Sequence, residues 1–336
     1  MPSPPVQSSS RMHWMDSLRG MAILLVLLFH SVAIHVGLSG SGRAPGWDEV
    51  TGFFDPYRMP MLLMLSGLLL PRALAKPLGS YVTGKGRMIL WPLFLWSVIQ
   101  FIVKGDIAGM LDPLTWVDGT YQWFLVVLVV CYAAAPLTRW IPAWVMALAF
   151  LAILVTVGDQ VDELRRILFY GPFFFLGATL SRWLPRIQSA PAWLATIFGL
   201  VGVAVGIGSA AGWVAVARGI PVTVVLPLPG LLALLWFGAR LPRLPLFESV
   251  GRQSMVYYVA HTTVLLVIAD VWRAAGWGVP DVTPVILFVV VSAACAFLAR
   301  NRVQFSGLFE FPRGDVAVRT GGQDPRVLPR QTASMH

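Results

Sequence analysis

Ten apolar stretches, each close to the length needed to cross a lipid bilayer, constrain this chain more than any other feature. They run approximately over 19–37, 57–71, 88–103, 121–137, 140–157, 165–181, 191–211, 220–238, 251–272 and 283–300. A helix crosses the ~30 Å hydrocarbon core with about 20 residues, and about 17 is near the lower limit. The stretch at 57–71 is short by that measure, and an earlier start near Thr51 would lengthen it. The expected fold is an all-α, polytopic membrane helix bundle of about ten transmembrane helices. Composition agrees: 57% of the residues are hydrophobic and 12% charged, against about 25% charged in a soluble protein. The net charge of +9 does not indicate nucleic acid, because the basic residues are spread over short loops and one tail. Cys131 and Cys295 both fall inside apolar stretches, so they frame no disulfide scaffold.

Loop charge gives an independent test of the ten spans. With the N-terminus in the cytoplasm and strict alternation, 18 of the 25 basic residues fall on the cytoplasmic side and 7 on the other. This satisfies the positive-inside rule with both termini cytoplasmic. The expected domains are a disordered cytoplasmic N-terminus at 1–13, a membrane domain at 14–300 and a disordered cytoplasmic tail at 301–336. In that tail Phe305, Leu308, Phe309 and Phe311 are suited to touch the membrane surface. The first span reads as an uncleaved signal-anchor, since its apolar run is long for a signal peptide. No internal repeat of the solenoid or transporter kind is visible.

The first span carries the most informative pair. Arg19 stands at its start in Asp16-Ser17-Leu18-Arg19-Gly20, and His30 lies eleven residues on. That step brings a helix back to nearly the same face, with an axial offset of about 16 Å. With Arg19 at the water interface, His30 reaches mid-membrane. An ionisable residue at that depth is a functional candidate by default.

Asp16-Ser17-Leu18-Arg19-Gly20-Met21-Ala22 followed by His30 resembles the opening helix of the membrane acyltransferase-3 family, with its Asp-x-x-Arg-Gly-x-Ala segment and Arg-x10-His spacing. Further segments agree in order. They are Pro60 to Gly67 ending in Ser-Gly, Arg87 to Pro92, Gln122-Trp123-Phe124-Leu125, Phe174-Phe175-Leu176-Gly177, and Ser254 to Tyr257 with His261. The resemblance covers residues 14 to about 300. At the start of the third helix the family often has two basic residues three apart. Here Arg87 fits the second, Gly84 occupies the first and Lys85 sits beside it.

The resemblance implies transfer of an acyl group, usually from cytoplasmic acyl-CoA and most simply acetyl-CoA, to a hydroxyl of a carbohydrate or similar acceptor, or of a lipid-linked one. The expected location is a bacterial inner membrane. CoA is polyanionic, and Arg19, Arg72, Lys85 and Arg87 are the candidate donor-binding residues, Arg being suited to phosphate. The same cations also serve topology. His30 is the candidate general base that takes the acceptor hydroxyl proton. Attack by His30 itself to form an acyl-imidazole is the alternative.

Ser254, Tyr257, Tyr258 and His261 form a polar stripe at i, i+3, i+4 and i+7 that faces protein rather than lipid. Tyr257 and His261 either orient His30 or bind acceptor, or serve as interhelical hydrogen-bonding glue. Arg58 is a snorkelling anchor or an acceptor contact, and Trp123 is a belt aromatic or a sugar platform. His35, five residues past His30 and off its face, reads as a far-side interface residue, and His13 in the N-terminal segment has no assigned role. No metal-ligand cluster is visible, and no metal is expected. The sequence leaves the acceptor, the acyl chain and the oligomeric state open. The competing reading is a multispan transporter or flippase of an envelope precursor. It is disfavoured because almost every Asp and Glu lies in a loop.

Overall fold

A computed structural model of the protein describes residues 12–116, 121–157, 162–214 and 220–312. Among them the chain is all helical, with no strand. Ten principal helices fall on the ten apolar stretches. They are α1 (His13–Ser39), α2 (Trp47–Leu68), α3 (Leu78–Lys104), α4 (Trp123–Leu137), α5 (Ala143–Val157), α6 (Asp162–Leu180), α7 (Ala192–Ala210), α8 (Pro221–Gly238), α9 (Ser254–Ala274) and α10 (Thr283–Arg300).

Six of these, α1, α3, α7, α8, α9 and α10, are long and apolar enough to cross a membrane. The protein is a multi-pass membrane-helix bundle. The other four differ from the expected even pattern for physical reasons. Helices α4 and α5 have 15 residues each, about 22 Å, which is short of a ~30 Å hydrocarbon core. Helix α2 starts at Trp47, earlier still than the Thr51 expected, and carries Asp48, Glu49, Asp55 and Arg58 between its start and its middle. Helix α6 carries charge through its first turn and a half.

Helix α1 is the hub. It packs on α2, α9, α10 and the short helix Pro245–Arg252 that precedes α9. Helix α2 packs on α6 and α7, α6 on α4 and α5, and α9 on α3 and α10. Small residues allow the tightest of these contacts. A Cβ at Gly67 of α2 would overlap the Phe174 carbonyl of α6, and one at Gly177 would overlap the Met64 carbonyl. Gly20 of α1 meets the Phe247 backbone in the same way. Backbones approach this closely where van der Waals packing rather than the hydrophobic effect joins helices in lipid.

Two local features matter for the site. Helix α3 contains a π-helical turn at Gly86–Leu90, a device common at functional sites. The stretch after α10 does not behave as the disordered tail expected for 301–336. Residues 301–312 fold back on α3 through a short helix, Ser306–Phe309, and Phe309 is 1% exposed. Its ring stacks on Trp96, with centroids 5.8 Å apart, so Phe309 docks on protein rather than on the membrane surface, while Phe305 and Phe311 stay exposed. Residues 313–336, and 1–11 of the expected N-terminal segment, lie outside the described residues. His13, which had no assigned role, begins α1 and places Nδ1 3.2 Å from Glu248.

Candidate active site

Arg19 and His30 lie on α1, and the structure gives each a different environment. Arg19 donates from Nη2 to the Leu65 carbonyl at 3.1 Å. Leu65 is in the last turn of α2, where carbonyls lack intrahelical partners, so the guanidinium caps that helix end and meets its negative dipole. Arg19 also lines a cavity of about 370 Å³. Lys76, Lys85, Arg252 and Arg302 line it too, and no Asp or Glu does. Five cations around one small cavity, without an acid among them, make a site for a polyanion.

Lys85 Nζ sits 3.5 Å from the centre of the Tyr132 ring. The ring holds the ammonium over its negative face and fixes it at the cavity wall. The Tyr81 hydroxyl donates to the Tyr132 carbonyl at 2.7 Å, which ties α3 to α4 here. Arg252 is held from outside by Glu248, 3.6 Å away. Glu248 is 1% exposed and also receives Arg243 at 2.7 and 3.0 Å. Hydrogen bonding from Arg243 holds the Glu248 carboxyl below its ordinary range.

Two of the expected donor residues are elsewhere. Arg72 is exposed and does not line the cavity. Arg87, in the π turn, points to the returning chain: it pairs with Glu310 at 3.3 Å and donates to the Phe311 carbonyl at 2.8 Å. Arg302 and Arg252 take their places in the cavity wall.

The inner end of the cavity is formed by Phe124, Leu125 and Tyr258. The Tyr258 hydroxyl donates to the Tyr121 carbonyl at 3.1 Å and accepts the Phe124 N–H at 3.2 Å. Directly beyond Tyr258 lies His261, with ring centroids 5.8 Å apart, and His30 is 5.0 Å from His261. Tyr121 closes a third side of His30 edge-on at 5.9 Å. The two histidines therefore meet, from α1 and α9, with His261 against Tyr258 of the cavity wall and His30 behind it.

His261 has a fixed tautomer. Its Nδ1 lies 2.7 Å from the Tyr258 carbonyl and 3.1 Å from the Tyr257 carbonyl. Carbonyls only accept, so Nδ1 carries the proton and, in the neutral ring, Nε2 keeps its lone pair. That Nε2 is buried with no partner among the described residues. The His30 ring has no hydrogen bond among the described residues, so it is free to serve an incoming group.

The expected acceptor residues separate. Arg58 is close: its guanidinium stacks 3.9 Å over Phe29, the neighbour of His30. It is 7% exposed and is held by Asp55 at 2.6 Å and the Thr51 carbonyl at 3.2 Å, which a lipid-facing anchor would not be. Trp123 makes its ring contacts with Tyr170 and Phe124 rather than with either histidine. Tyr257 contributes its carbonyl to His261, while the side chain that lines the site is that of Tyr258. Sequence reasoning overlooked Gln100 and gave Gln122 no role of its own; they are 1% and 0% exposed. Gln100 donates to Thr262 Oγ1 at 2.8 Å and accepts the Tyr121 N–H at 3.2 Å, and Gln122 donates to the Val259 carbonyl at 3.1 Å. Together they fix Tyr121 and α9 around the histidines. An amide inside an apolar stretch was the signal that would have found Gln100.

Among the described residues no three His, Cys, Asp or Glu side chains come together as a metal-ligand group. Neither a curated protein nor a solved structure matches the chain significantly. A family model does: the acyltransferase domain of the acyltransferase-3 family matches residues 12–300, which takes in all ten helices, the histidine pair and four of the five cations of the cavity. This chain is a membrane acyltransferase of the acyltransferase-3 family.

Proposed function

We propose that the protein moves an acyl group from acyl-CoA, acetyl-CoA in the simplest case, to a hydroxyl of a carbohydrate-like acceptor. The observation that carries this reading is the chain of ring contacts from the five-cation cavity through Tyr258 and His261 to His30. CoA phosphates bind Arg19, Lys76, Lys85 and Arg252, with the pantetheine arm directed along α1. The thioester then meets the acceptor beside His30. The eleven residues from Arg19 to His30 give about 16 Å for that arm. The positive-inside rule supports a cytoplasmic cationic end, and in this reading the acceptor comes from the far side, with Arg58 within its reach. Membership of the family supports a multi-pass protein of a bacterial inner membrane.

In this mechanism His30 takes the proton of the acceptor hydroxyl as its oxygen attacks the thioester carbon. The C–O bond forms, the C–S bond breaks, and the proton passes from His30 to the departing thiolate. His261 is the positioning residue. Its Nε2 lone pair is available to an N–H of His30, which leaves the other His30 nitrogen free to act as base.

The test is release of free thiol from labelled acetyl-CoA by purified protein in lipid nanodiscs. His30→Ala should lower that rate by about 10²–10⁴-fold, the usual range for a lost general base, with normal insertion and melting. An active, well-folded His30→Ala protein removes the mechanism. Absence of binding and release in the wild type, with acetyl-CoA and longer thioesters alike, removes the donor.

A further inference from the structure

The family match ends at residue 300, yet the chain that follows is built into the cationic cavity. Arg302 lines it, two residues beyond the match, and donates from Nη1 to Gln253 Oε1 at 3.2 Å, at the start of α9. That hydrogen bond to a neutral amide orients the guanidinium and leaves its charge uncompensated by any acid in the cavity wall.

Residues 306–311 then clasp the π turn of α3 from the other side. The Trp91 and Trp96 indole N–H groups donate to the carbonyls of Gly307 and Leu308 at 2.7 and 2.9 Å. Glu310 and the Phe311 carbonyl hold Arg87, and the Phe311 N–H returns to the Arg87 carbonyl at 3.3 Å. Phe309 fills the space beneath Trp96. Arg87 is thus turned outward while Lys85, two residues earlier, faces the cavity and Tyr132.

We propose that residues 301–311 are a working part of the donor site. Arg302 is a phosphate-binding residue for a nucleotide-type acyl donor, and the clasp at 306–311 positions the π turn so that Lys85 faces the same phosphates. The proposal rests on the donor reading given above. A chain cut at the family boundary would lose a fifth of the cavity's charge and the clasp together.

Equilibrium binding of acetyl-CoA to the full-length protein in nanodiscs tests it, alongside thiol-release kinetics. Arg302→Gln should raise the dissociation constant and KM about tenfold while kcat stays within about twofold, the signature of lost uniform binding. Arg302→Lys should recover part of the affinity. Phe309→Ala, which leaves Arg302 in place, should also raise KM and should speed chemical labelling of Lys85. A melting curve on each variant reports folding. A folded Arg302→Gln protein with wild-type affinity overturns the proposal while the donor reading survives, provided the wild type binds acetyl-CoA. A wild type that binds no thioester overturns both.

Discussion

Helix α1 has a cavity on either side, and the two are made of opposite materials. One is the 370 Å³ space walled by five cations, with Arg19 and Ile23 from α1. The other, about 890 Å³, is lined from α1 by Leu18, Met21, Leu25 and Leu28, and Arg58 is its single charged residue. The larger one needs no ligand to be stable: lipid chains satisfy an apolar wall, because hydrocarbon is its natural solvent here. The smaller one holds several like charges at close quarters, which is unfavourable until an anion arrives. In a membrane protein, the lining chemistry of a cavity marks the site and its volume does not.

Substitutions on the two sides of α1 should accordingly behave differently. The larger effect belongs to the cationic side. Lys85→Gln should raise the KM for acetyl-CoA about tenfold or more, as expected when a charge-assisted contact is lost. Added salt should weaken donor binding more in the wild type than in this variant, since the exposed charges at the cavity mouth are screened. An unchanged KM would remove the distinction between the cavities.

A smaller effect comes from the carboxylate behind the cationic wall. Glu248 has its folded pKa depressed by Arg243, so its contribution to stability is present above the ordinary carboxylate range. It is lost as pH falls through the lowered folded value. Thermal unfolding of the wild type and Glu248→Gln should therefore differ at neutral pH and converge in acid. A gap that persists unchanged to low pH would show that Glu248 is not the group that holds Arg243 and Arg252. The smallest effect belongs to the apolar side. Leu25→Trp, placed in the larger cavity, should leave donor KM and kcat within about twofold, as for sites that share no partners. A tenfold loss there would mean that the apolar cavity takes part in the reaction.

The helices were legible because apolar length is a strong signal, and each of the ten stretches carries one. The pairing of Arg19 and His30 on α1 was legible for the same reason, since helical periodicity is fixed. What the sequence left open was rotation about each axis. Tyr257 and Tyr258 are adjacent, and i+3 and i+4 spacings both fit the face of His261; only the packing of α4 decides that Tyr258 lines the site. Arg87 fitted the family spacing better than Lys85, but the π turn and the returning chain reverse their orientations. The docking of residues 301–311 was hidden because it depends on single aromatic residues and backbone carbonyls rather than on a periodic face.

The π turn at Gly86–Leu90 has a consequence for length variation in this chain. A π turn accommodates one residue more than an α turn does, and each residue of an α-helix advances it by about 100°. Deleting a single residue between Gly86 and Leu90 would let α3 run as an unbroken α-helix. The halves Leu78–Lys85 and Trp91–Lys104 would keep nearly their present angle to one another, because the extra residue is taken up within the π turn itself. A deletion in the plain α-helical part between Trp91 and Lys104 would instead turn the residues on one side of it by about 100° against those on the other. The Trp96 ring would then leave Phe309, and the contact between α3 and the returning chain would be lost although neither aromatic residue had been changed. The π turn is thus a place where this helix can lose one residue and still hold Lys85 against Tyr132.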